Sequence, residues 1–81
     1  MVREREVLDE ILDEYIRTLS ESRSYQSAYE GYTVIQKEID ELKDKIDKTN
    51  CKWGYKMRDE TIRIAAAALR FIMDICEEKR G

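Results

Sequence analysis

The sequence predicts an all-α fold: a bundle of about three helices per chain, completed by homodimerisation. Three observations support this. Apolar residues recur at three- and four-residue spacing through most of the chain, no stretch alternates with period two, and proline is absent from all 81 residues.

The first helix is predicted over Val2–Glu21. Leu8, Ile11, Leu12, Tyr15, Ile16 and Leu19 form one apolar stripe, with acids and arginines opposite. A polar break at 20–26 ends it. Ser27-Ala28-Tyr29-Glu30 then has the form of a capping box, in which the Ser and Glu side chains satisfy free amides at a helix start. The second helix therefore begins there, and its stripe of Ala28, Tyr32, Ile35, Ile39, Leu42 and Ile46 is the seam of a rod packed lengthwise on another. Asn50 and Gly54 mark a turn at 49–55, and a third helix is expected over 56–78.

The third helix is broader in its apolarity. Ile62, Ile64, Ala65, Ala66, Ala68, Leu69, Phe71, Ile72, Met73, Ile75 and Cys76 cover more than half of its circumference, more than two neighbours in the same chain can hide. The small residues at 65–68 let another helix axis approach closely, so a two-fold contact with a second copy is expected there. The remaining polar strip carries Glu60, Arg63, Arg70 and Asp74.

Composition narrows the function. A chain this short makes one domain, residues 1–81, and buries a modest share of its surface, which again favours a partner copy. Fifteen Lys and Arg against eighteen Asp and Glu leave a net charge of −3 with no basic block, so nucleic-acid polymers are not expected partners. No apolar run is long enough to span a bilayer, and the N-terminus lacks a signal-peptide core; no membrane association and a cytoplasmic location are expected. Without histidine, the usual general base and most nucleophilic triads are excluded. Cys51 and Cys76 show no pairing pattern and read as reduced thiols, Cys51 in a loop and Cys76 as a small core residue.

The carboxylates carry what chemistry remains. Glu38 and Glu41 lie about one turn apart at the edge of the second helix's seam, and Glu60 stands near the start of the third helix. If the two helices overlap antiparallel, all three meet. Three converging carboxylates repel unless one holds a proton or a divalent cation joins them, and oxygen-only ligands suit magnesium. Asp74 shares Glu60's angular position but stands roughly 21 Å further along the helix, too far to take part. Solvated helix faces are the competing reading. Acid pairs at the same spacing recur at Glu6/Asp9, Glu10/Asp13, Glu41/Asp44 and Asp74/Glu77, and Lys45 stands in favourable order for a surface pair with Glu41.

Two segments, YEGYTVIQKEIDEL at 29–42 and MRDETIRIAAAALRFI at 57–72, resemble the short, often phage-borne members of the MazG-like nucleotide pyrophosphohydrolases. Members of that all-α superfamily place a Glu-x-x-Glu pair on one helix and a Glu-x-x-Asp pair on the next, all four acids holding magnesium. The resemblance implies that Glu38, Glu41 and Glu60 are the metal ligands and catalytic residues, that Mg2+ is the cofactor, and that a nucleoside triphosphate is cleaved to the monophosphate and pyrophosphate. Arg63 stands where the fourth acid is expected, which predicts weakened activity: its guanidinium either pairs with Glu60 or grips a phosphate oxygen. Lys56 and Arg58 are further candidate phosphate contacts, and Trp53 or Tyr32 candidate base-stacking residues; each also reads as an ordinary surface charge or packing aromatic. The alternative function is a non-catalytic helical scaffold, or a protein- or nucleotide-binding module, of the same fold.

Overall fold

The computed structural model describes residues 2–48 and 54–77, and among these it is all-helical, with no strand. Helix α1 spans Val2–Glu21, α2 spans Ala28–Lys48 and α3 spans Tyr55–Phe71, followed by a π-helical turn at Ile72–Cys76. No helix among the described residues is long and apolar enough to cross a membrane. Cys51 and Trp53 lie outside the described residues, so the expectations attached to them go no further.

The α1 bounds coincide with those read from its stripe. At the head of α2 the Glu30 amide donates to Ser27 Oγ at 3.0 Å, as a capping box requires. The return bond goes one residue further out than usual, from the Gln26 amide to Glu30 Oε1 at 2.7 Å. Four residues into α2, buried Gly31 admits two rings: a Cβ there would stand 2.5 Å from Phe71 Cδ2 and 2.9 Å from Tyr25 Cδ2. Any larger residue would force the end of α3 away from α2.

Helix α3 packs against both α1 and α2 and departs from its expected form in two respects. Its regular part ends at Phe71, and the Glu77 amide closes a wider turn onto the Ile72 carbonyl at 2.8 Å before the backbone becomes extended. The extra residue in that turn rotates the end of the helix out of the apolar sector. Cys76, expected in the core, is consequently an exposed free thiol.

The second departure concerns which side of α3 is covered. Two members of its expected polar strip are buried, Glu60 at 0% and Arg70 at 2% exposed, with Ala66 and Ala67 between them as the only buried hydrophobics among the described residues, while Arg63 keeps its side chain 47% exposed. The stretch at 65–68 that was expected to meet a second copy is thus largely occupied by the chain's own helices. Uncovered apolar surface lies elsewhere, chiefly Leu8, Leu12, Ile16 and Leu19 along α1, with Tyr29, Tyr32 and Ile39 on α2 and Ile72 and Met73 at the end of α3. The molecule is a slab 47 × 31 × 19 Å with a radius of gyration of 13.9 Å, against about 12 Å for a compact domain of this length.

Candidate metal centre

Helix α2 delivers Glu38 and Glu41 from successive turns of one face, and α3 delivers Glu60 from its second turn. One carboxylate oxygen from each lies within 4.8 Å of the others. The overlap of the two helices that the sequence permitted is therefore realised. Glu60 is fully enclosed, while Glu38 and Glu41 are half-buried and line a cleft of about 470 Å³ that continues between α1 and α2.

Two oxygens in this cluster, Glu38 Oε1 and Glu60 Oε2, are buried without a hydrogen-bond partner. Buried polar atoms rarely stay unpaired, because nothing offsets the water they lose. On the other side of Glu60, Oε1 accepts from Lys45 Nζ at 3.0 Å and faces Arg63 Nη1 at 3.6 Å. Lys45 therefore reaches across to α3, whereas the sequence had suggested a surface pair with Glu41.

Electrostatics divide the two facing acids. Burial, then hydrogen bonding to Glu60 and the charges of Glu60 and Glu41, push the Glu38 carboxyl up to about 7 despite the opposing Arg63. Glu60 is moved the other way. Burial acts to raise it, but is outweighed by hydrogen bonds from Glu38 and Lys45 and by the charges of Lys45 and Arg63, which hold it below the usual carboxylate range. Glu38 thus keeps a proton near neutrality while Glu60 stays ionised. A proton between the two acids satisfies the orphaned oxygens in one way; a hard divalent cation, for which an all-oxygen donor set is suited, satisfies them in another. The residues fit such an ion.

The remaining candidates separate cleanly. Arg63, its side chain 47% exposed, lines the cleft as well as facing Glu60, so both roles foreseen for it are sterically open. Arg58 is turned away and grips Glu10 of α1 through two bonds of 2.7 and 2.8 Å. Lys56 lies on a different surface beside Asp44, Lys45 and Lys48. Tyr32 is outside the cleft, its ring 6.1 Å from that of Tyr29. Asp74 takes no part in the cluster, accepting instead from the Tyr25 amide at 3.0 Å and from Arg70 Nε at 3.1 Å.

Sequence reasoning missed three cations. Lys45 falls at i+4 from Glu41 and i+7 from Glu38, a spacing that places it on the ligand face of α2 and was a usable signal. Arg17 and Lys37 line the cleft opposite and beside the acids. Arg17 is held between Glu14 and Glu21. Nothing local in the sequence announces that α1 and α2 bring these two side chains to one opening.

Compared with protein-family models, with curated proteins and with solved structures, the chain has no match in any of the three.

Proposed function

We propose that this chain is a MazG-like, magnesium-dependent nucleoside triphosphate pyrophosphohydrolase that works as a homodimer, releasing the nucleoside monophosphate and pyrophosphate. The observation that carries the reading is the convergence of Glu38, Glu41 and Glu60 with two buried, unpartnered oxygens among them. Carboxylates on a helix surface have no reason to crowd into such a position unless a cation or proton joins them.

Glu38, Glu41 and Glu60 would hold the ion, with Glu38 releasing to solvent the proton it otherwise keeps near neutrality. A bound magnesium supplies charge neutralisation for the phosphates and for the oxygen that leaves. Arg63 and Lys37, at the cleft surface, donate charge-assisted hydrogen bonds to phosphate oxygens and fix the polyphosphate relative to the acids. The absence of a fourth acid makes this a weaker site than the family pattern, and activity is correspondingly reduced. The homodimer is supported by the α1 stripe, where Leu8 is 63% and Ile16 52% exposed, and by a core with only two buried hydrophobic residues among those described. A large contiguous apolar surface of this kind is covered in most soluble proteins.

Pyrophosphate release from a panel of NTPs and dNTPs with magnesium tests the reading. Turnover of at least one nucleotide, lost in Glu38→Ala while the helical content is kept, is the expected result. No turnover of any nucleotide overturns it.

A second reading has one observation in its favour. Two cations, Lys45 and Arg63, already face Glu60, as befits a helical scaffold or nucleotide-binding module that has stopped catalysing. A melting temperature unchanged by magnesium and nucleotide together favours the scaffold, since a ligand that binds only the folded chain must raise it.

A further inference from the structure

Glu60 is the deepest carboxylate of the cluster, and one of its two oxygens is already committed. Lys45 Nζ donates to Oε1 at 3.0 Å, while Oε2 is buried and without a partner. A fully enclosed carboxylate left without an opposite charge is strongly disfavoured, so the ammonium, the nearer of the two cations that face Oε1, with Arg63 at 3.6 Å, supplies the counter-charge of Glu60 when no metal ion is present. Lys45 also comes from the same face of α2 as Glu38 and Glu41, so the helix that delivers two ligands delivers their counter-charge as well. Its side chain is 29% exposed, which leaves the flexible stem a route into solvent without unfolding the helix.

A divalent ion that approaches the open side of Glu60 meets the ammonium across a single carboxylate group. The two cations repel one another at that distance, and each weakens the other's hold on the same charge. We propose that Lys45 is the resident counter-ion of this site and sets its affinity for a divalent cation, the ammonium and the ion competing for the charge of Glu60. The proposal rests on the reading of the three glutamates as a metal site and adds the element that regulates it. On this basis the cluster discriminates by free metal concentration: at low concentration Lys45 supplies the counter-charge of Glu60, and at high concentration the ion displaces it.

Manganese binding to the full chain tests this without recourse to turnover. The probe is Mn2+ alone, followed through the loss of its free-ion EPR signal, with wild type, Lys45→Met, Lys45→Arg and Glu38→Gln compared at one pH and salt concentration. Lys45→Met is expected to bind about tenfold more tightly or better, since a neighbouring positive charge has been removed, and Lys45→Arg to stay within about threefold of wild type because the charge remains. Lys45→Met should also melt lower than wild type without metal and gain more from Mn2+, because the ion takes over the lost counter-charge. Should Lys45→Met not fold without metal, Lys45→Gln, which keeps a donor but no charge, gives the same comparison. Wild-type binding that is lost in Glu38→Gln but is no tighter in Lys45→Met or Lys45→Gln overturns the proposal and leaves the metal site standing. Binding by neither wild type nor the Lys45 variants overturns both. Binding by the Lys45 variants alone upholds the counter-ion and refutes wild-type magnesium dependence.

Discussion

Helix α3 buries two charged side chains ten residues apart, and their surroundings differ in kind. Arg70, near its C-terminal end, has a partner on each nitrogen: Nε donates to Asp74, Nη1 to the Thr18 carbonyl at 2.6 Å and to Ser22 Oγ at 3.0 Å, Nη2 to the Ser22 carbonyl at 2.8 Å, and its guanidinium carbon lies 5.6 Å from the centre of the Tyr25 ring. It closes the C-terminal end of α1, donating to the Ser22 carbonyl just beyond the helix and adding a bond to the Thr18 carbonyl, which also accepts from the Ser22 amide. Glu60, near the other end, has a cation on one oxygen, and its other oxygen is buried with no donor beyond the proton it shares with Glu38. The contrast teaches how to separate a structural buried charge from a functional one. A charge with a partner from within the chain on each of its polar atoms has little capacity left for a ligand, whereas one with an enclosed, unpartnered atom has been kept available.

Replacing Arg70 with Met is the strongest way to break this contrast. Loss of the guanidinium leaves Asp74 with the Tyr25 amide alone and takes the side-chain donor from the Ser22 carbonyl, at an expected cost of about 3–5 kcal/mol, a large share of the roughly 4–12 kcal/mol that a domain of this size has in total. Urea denaturation should show a midpoint for Arg70→Met far below that of wild type, and Glu60→Gln, which keeps an acceptor for Lys45, at least as stable as wild type without metal. The reverse order would mean that Glu60 is the structural residue of the two.

The proton on Glu38 sharpens the comparison from the other end. Its folded value of about 7 lies above the unfolded value, near 4.3. The stability it confers is therefore fully present below about pH 4.3 and is lost as pH rises through about 7. Glu60, held low, contributes in the opposite sense, losing stability as pH falls below the ordinary carboxylate range, outside that window. Without metal, the denaturation midpoint should fall between about pH 5 and 8, and both Glu38→Gln and saturating magnesium should flatten the trend. A midpoint that climbs over that interval without metal contradicts the shared proton.

The smallest effect belongs to a charge of a third kind, paired but accessible. Arg58 meets Glu10 at the surface, and such pairs contribute little because water solvates both partners when they separate. Arg58→Ala should leave melting nearly unchanged and KM for any nucleotide unaltered. A raised KM would place Arg58 on the substrate after all and show that the Glu10 pair opens on binding.

Much of this was legible in the sequence where local rules apply. The α1 stripe gave both ends of that helix, and Ser27 with Glu30 gave the start of α2, because periodicity and capping act over one or two turns. The meeting of Glu38 and Glu41 with Glu60 was legible only as a possibility, since it depends on how far α2 and α3 overlap. What the sequence did not reveal is that Glu60 and Arg70, on the polar strip of α3, are buried as well. With Ala66 and Ala67 as its close-packing positions, the strip bearing Glu60 and Arg70 is the one narrow enough for α1 and α2 to approach, and charges on that strip become interior by geometry. The Arg70 and Asp74 pair, four residues apart in an apolar helix, was the sign available. The destination of Lys45, fifteen residues along the chain at Glu60, had no local sign beyond its place on the ligand face.

The Arg70 latch also orders events in time. Its partners Thr18 and Ser22 lie 52 and 48 residues upstream, and the Tyr25 amide bonded to Asp74 lies 49 residues upstream. A nascent chain leaving the ribosome has finished α1 and α2 long before the residues that fasten their corner exist. Folding during translation is thereby deferred until position 74 is clear of the exit tunnel.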